Sequence, residues 1–405
     1  MDASGFLLAI RREFDWHVRQ HRGTEVYRAP SLTNPVLPMF ALDRWATGPG
    51  QDTFDIYTIM RPALQLASMW LTEDLPLLWF SHLTFGHRRR NAAGQVYLER
   101  NPHYRTPAAL KTVKENLHEF GKTNFFAFAP PKCKNTSYAT TYSKKESIPH
   151  FREFNHADFP PVLSDKGILK PCIILTRGFV KSFRSRSVSA NERYRSLFMF
   201  AIDLCHEVTH SYSMFHDGSI PEPLWAANEK FPELGYSWEM SVLGHLPMSN
   251  SIIIEDGRSR EINSVCMLEA SSHVERDRLL SFLKGNSRAE FTRRDASGNY
   301  RSWPVLHGGG FRGAKWTMSN NAQLLIASFH VIPMHWMVSW FQQDVWEILK
   351  IRWAQNNLYE APALGQKFMV RYERSTHGVS VHRPLYPNNR VDAKIIEDHR
   401  KEAQK

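Results

Sequence analysis

Two rhythms of hydrophobic and polar positions organise the middle of the chain. Cys172 to Leu175 is an uncharged, β-prone run that predicts a buried strand. Phe125, Phe126 and Phe128 predict another, stopped by Pro130 and Pro131. Further on the period lengthens. Leu197, Ala201, Leu204, Val208 and Phe215 recur at three, four or seven residues, which predicts an amphipathic helix with one apolar stripe. Ser189 to Glu192, "SANE", has the form of a capping box at its start, and Gly218 ends it. After the loop "GSIPEPLW", Pro232 can open a second helix carrying "ELGYSWEMSVLG", because its missing N–H costs nothing at the first helical position. "SIIIEDG" then reads as a strand and turn, and "RVDAKIIEDHRKEAQK" as a charged helical tail.

These elements predict an α+β fold in three segments: residues 1–150, an N-terminal α+β segment; 151–260, the core just described; and 261–405, mainly helical. The polar stretch "KCKNTSYATTYSKKES" looks like an exposed connection near the first boundary, and "KGNSRAEFTRRDASGNYRS" marks the second. No internal repeat or low-complexity tract is evident.

With 405 residues, 42% of them hydrophobic and 22% charged, the chain can bury a full core without staples. Its four cysteines form no C-x-x-C pair, which argues against a disulfide scaffold or a thiolate zinc site. The N-terminus lacks the basic and long apolar regions of a signal peptide, so the expected location is cytoplasmic or nuclear. The uncharged stretch Ala322 to Phe341 reaches membrane-spanning length, yet carries Gln323, His330, Pro333 and His335. It reads as buried core, with both histidines hydrogen-bonded inside. A net charge of +11 would favour nucleic acid if focused on one face. The clusters "HRRR" at 87–90 and "KSFRSRS" at 181–187 are short, and read as solvated surface.

One stretch inside the predicted helix carries chemistry: His206-Glu207-Val208-Thr209-His210. One turn separates the two imidazoles, so both can reach one zinc ion at about 2.0 to 2.1 Å. Glu207 between them stands where a general base can take a proton from attacking water. "HGGGF" at 307–311 has no matching nucleophile elbow elsewhere and reads as a tight turn. Tyr212 and Tyr236 read as packing residues.

On His206, Glu207 and His210 the chain resembles the zincin metallopeptidases, over about residues 168–258. It is also similar to a group of filamentous-fungus proteins in which HExxH is followed by ELGxSWE, a likeness that implies no substrate. The zincin resemblance implies a zincin-like core, a short mixed sheet with the HExxH helix and a following ligand helix, between mainly helical flanks. It also implies a bound Zn2+ and hydrolysis of peptide bonds in a peptide or protein substrate. In the gluzincin branch the third ligand would come from "PELGYSWE", as Glu233 or Glu239. Glu233 is preferred, in the first turn where the helix dipole favours its charge. His216 competes, because "HEVTHSYSMFH" has the metzincin spacing with Ser213 where that family has glycine. Asp217 ranks last. The alternatives to a peptidase are an inactive zincin-fold binding or scaffold protein, and a basic protease associated with nucleic acid; no membrane partner is expected.

Overall fold

The computed structural model describes residues 28–46, 53–130, 138–143, 148, 171–186, 188, 190–218, 221–227, 232–244, 246–249, 265–268, 324–331, 334–356, 359, 367–373 and 378–382. In chain order these form helices α1 (Thr53–Thr72) and α2 (Asp74–Phe85), the hairpin β1 (His87–Arg90) and β2 (Val96–Glu99), α3 (Pro107–Gly121), and strands β3 (Phe125–Phe128), β4 (Ala139–Tyr142) and β5 (Cys172–Leu175). There follow α4 (Arg177–Arg184), α5 (Ala190–Asp217), α6 (Leu234–Val242), β6 (Leu246–Ser249), β7 (Val265–Leu268), β8 (Leu324–Val331), α7 (Met334–Trp340), α8 (Gln343–Asn356), β9 (Lys367–Glu373) and β10 (Gly378–His382). The fold is α+β.

A three-stranded sheet has the order β3-β5-β4, with β5 parallel to β3 and antiparallel to β4. Both β3 and β5 are buried at every position, which is why their sequences are unbroken apolar runs rather than alternating ones. Strand β4 lies within the polar stretch expected to be an exposed connection; its run Ala139-Thr-Thr-Tyr142 is only partly covered. A second sheet, β10-β9-β8-β7-β6, is antiparallel throughout.

Helix α5 is the centre of the molecule. It packs against α1, α4, α6, α7, β4 and β5. The expected single apolar stripe is too narrow a description: Leu197, Phe198, Met199, Phe200, Ala201 and Ile202 are consecutive and all buried. Such a helix is covered on all sides. Trp45 stacks on Phe126 at 4.9 Å and lies 6.2 Å from Phe200, tying the sheet to this helix. Gly218, at φ 63°, ends α5 as expected, its amide reaching the Met214 carbonyl. Ser189 of the expected capping box lies outside the described residues, as do the side chain of Glu192 and the segments 251–257, 307–311 and 390–405.

The described part of 261–405 is not mainly helical: α7 and α8 are accompanied by β7 to β10. The 322–341 stretch divides into β8 and α7, and His335 stands exposed on α7 rather than inside the core. Among the described residues no helix is long and apolar enough to cross a membrane. Cys172 and Cys205 are buried free thiols. In the basic clusters, Arg88 pairs with Asp217, Arg89 with Glu99, and Arg184 with Asp55.

One packing detail carries a pH signature. His82 is buried beside Trp225 and Tyr104, with no partner for Nδ1. Burial, followed by the charges of Arg100 and Arg88, lowers its pKa to about 4. The unfolded chain therefore takes up this proton first. Stability is unaffected well above pH 6.5, the ordinary histidine value, and falls as pH drops from there toward 4. In His82→Phe the melting temperature is expected to fall less than in wild type between pH 7 and 4.5; equal losses would contradict the assignment.

Candidate metal centre

His206 and His210 project from the buried centre of α5, and their Nε2 atoms face a single oxygen. Glu233 Oε1 lies 3.2 Å from Nε2 of His206 and 3.0 Å from Nε2 of His210. Among the described residues, His206, His210 and Glu233 are the one group of three or more His, Cys, Asp or Glu able to hold a metal ion, their ligand atoms all within 4.8 Å of one another.

Each imidazole is held from behind by a second carboxylate. Glu239 Oε1 is 2.6 Å from Nδ1 of His206, and Glu222 Oε1 is 2.5 Å from Nδ1 of His210. Donating Nδ1–H to a carboxylate fixes the tautomer, aims the lone pair of Nε2 at the centre and raises its basicity.

The start of α6 sets the acids in place. The helix begins at Leu234, two residues later than Pro232 allows, with Glu233 as its N-cap. Glu233 Oε2 accepts from the Tyr236 amide at 2.6 Å while Oε1 faces the histidines. Glu222 is likewise double-ended: Oε2 accepts from the Leu234 amide at 3.1 Å. The unpaired amides and dipole at a helix N-terminus favour both carboxylates. Glu222 itself is held by its loop, where the Leu224 amide and carbonyl pair with Val96 and Leu98 of β2 and Trp225 stacks on Trp79 at 4.8 Å.

Glu207 is buried, and its Oε2 accepts from Thr141 Oγ1 of β4 at 2.7 Å. The carboxylate is thus tied to the sheet, beside the two imidazoles that flank it in sequence. Glu239, the second candidate ligand, backs His206 rather than joining the two Nε2 atoms. His216 and Asp217 pair with each other at 2.9 Å at the end of α5, with Arg88 on Asp217 at 2.6 Å. Tyr212 bonds Thr84 at 2.8 Å and packs on Phe80 and Phe120. Tyr236 sets its ring edgewise to His206 at 5.2 Å.

Electrostatically the cluster calls for positive charge. Burial disfavours the His206 imidazolium, but Glu233 and Glu239 outweigh it and raise the pKa well above the ordinary value. Burial opposes, and Glu222 and Glu233 overcome, in raising His210 to about 10. Glu233 is held below the usual carboxylate range by His206 and His210, against the effect of burial. Burial pushes Glu239 up, partly offset by His206. A cation entering here displaces the imidazole protons, so its uptake weakens as pH falls.

Sequence reasoning missed Glu222, Thr141 and Asp203. The one local signal for Glu222 is its place between Pro221 and Pro223, which restricts it to extended backbone. Comparison with protein-family models, with curated proteins and with solved structures found no match.

Gly235 permits the close approach of α6 to α5. A Cβ there would fall 2.3 Å from Nε2 and 2.4 Å from Cδ2 and Cε1 of His206. The ring, clamped by Glu233 and Glu239, has no easy way to yield. Gly235→Ala is expected to weaken metal binding, with zinc as the probe ion, by roughly 100-fold, the upper end of what losing support around a metal ligand costs. Competition against a zinc chelator checks this; unchanged affinity in a folded variant would refute it.

Proposed function

We propose that the chain is a zinc-dependent, gluzincin-like metallopeptidase with a zincin-like core formed by β3-β5-β4, α5 and α6. The observation that carries this is the convergence of both Nε2 atoms on one oxygen of Glu233, with each Nδ1 held by its own carboxylate. The donor set fits: two imidazoles and a carboxylate hold a catalytic zinc and leave a further position open. In this reading His206, His210 and Glu233 hold the ion. When bound, it supplies Lewis acidity toward the substrate carbonyl and lowers the pKa of water.

Glu207 takes the proton of the attacking water and returns it to the departing amine. Thr141 keeps that carboxylate on the sheet side of the helix, and Glu222 and Glu239 keep the imidazoles aimed. Strand β4 lies at the edge of its sheet in the described order and packs against α5, so a peptide passing Glu207 would run close to it.

A peptide library digested with zinc-loaded protein, with and without chelator, tests the proposal through new peptide termini found by mass spectrometry. Two histidines and one carboxylate also suit iron(II), so metal analysis accompanies the digest. Cleavage that depends on zinc supports the reading; zinc-loaded protein that cleaves nothing supports a binding or scaffold role instead.

A further inference from the structure

Asp203 lies on α5 one turn before His206. At about 100° per residue it projects about 60° around the helix from His206, between His210 at about 40° and Glu207 at about 100°. It shares their face. Its Oδ2 is buried without a hydrogen-bond partner, the one carboxylate oxygen among the buried unpaired side-chain atoms of the described residues. A buried acceptor left unpaired costs free energy, and such a cost at a site points to a missing ligand group.

The surroundings define the charge of that group. The charges that act most on Asp203 are those of His206, Glu239 and Glu207, and burial raises its own pKa well above the ordinary value. Asp203, Glu207, Glu222, Glu233 and Glu239 bring five carboxyl groups around two imidazoles; burial favours the neutral form of Asp203, and a cation brought to its unpaired Oδ2 would offset that cost.

We propose that Asp203 receives a cationic group of the substrate, the ammonium or guanidinium of a residue beside the scissile peptide bond. The proposal rests on the peptidase reading, and makes this site selective for peptides basic at that position. Three residues of helix rise put Asp203 about 4.5 Å along the axis from His206, within side-chain reach of a residue flanking the bond. A lysine or arginine side chain and a free N-terminus both carry such a cation.

Hydroxamates, which chelate zinc without needing to be cleaved, separate these cases. Binding to the zinc-loaded protein is measured for Nα-acetyl-lysine hydroxamate, Nα-acetyl-norleucine hydroxamate and norleucine hydroxamate with its amine free. The expected result is about tenfold tighter binding of the acetylated lysine compound than of its norleucine counterpart, a ratio that falls to about one in Asp203→Asn. If the free amine of norleucine gives the advantage and Asp203→Asn removes it, the cation is the N-terminal ammonium. Because Oδ2 has no partner to lose, Asp203→Asn is expected to keep its zinc and its melting temperature; Asp203→Ala serves if it does not. No preference for a cation, or a preference that survives both variants, overturns the proposal. Discrimination without cleavage of any peptide retains the cation site and removes the peptidase reading, and failure to bind zinc removes both.

Discussion

Glu207→Gln is expected to retain one zinc per chain and its melting temperature while losing at least about 100-fold in peptide hydrolysis, the usual scale for a positioned general base. The amide keeps the size of the side chain, and its carbonyl oxygen can still accept from Thr141, which donates to Glu207 Oε2 at 2.7 Å. What it cannot do is accept a proton from water as the bond to the carbonyl forms. Loss of zinc together with activity would mean that Glu207 supports the centre; undiminished cleavage would remove it from the chemistry.

The second large effect separates a ligand from its support. Glu233→Ala is expected to weaken zinc binding more than roughly 100-fold, beyond the roughly 10- to 100-fold range for removing an outer partner of a metal-bound histidine. Glu239→Gln is expected to fall within that range. The reason is geometric: Glu233 Oε1 lies at 3.0 and 3.2 Å from the two Nε2 atoms, while Glu239 touches the far nitrogen of His206. Glu233→Ala also removes the cap that accepts from the Tyr236 amide, costing about 1 kcal/mol of stability. Zinc affinities of the two variants decide it, and the reverse order would make Glu239 the ligand.

What could be read from the sequence depended on whether spacing within one element carried it. His206, Glu207 and His210 are legible because one helical turn puts two imidazoles on one face. Strands β3 and β5 are legible because buried parallel strands are continuously apolar. Glu233 was within reach once a second helix was recognised, although its actual place is the cap and not the first turn. Glu222 and Thr141 were not legible. They come from a loop and from a short, partly exposed strand, and tertiary packing alone brings them to His210 and Glu207. Asp203 sits in plain sight on the helix, but only its unpaired buried oxygen sets it apart from a solvated acid.

The tertiary setting also explains why this polar face tolerates burial. Five acids and two histidines on and around the most buried helix would be costly singly. Here most are paired, imidazole to carboxylate and carboxylate to helix amides, so desolvation is offset by charge-assisted hydrogen bonds.

In the proposed reading, peptide hydrolysis depends on one zinc held by His206, His210 and Glu233. The most direct test is to add zinc stepwise to metal-free protein while measuring bound zinc and cleavage of one library-derived peptide on the same samples. Cleavage is expected to rise in proportion to bound zinc, to level at one ion per chain, and to be absent at every step in His206→Ala. A protein that binds its one zinc and cleaves nothing, or that cleaves equally well before any zinc is added, would contradict it.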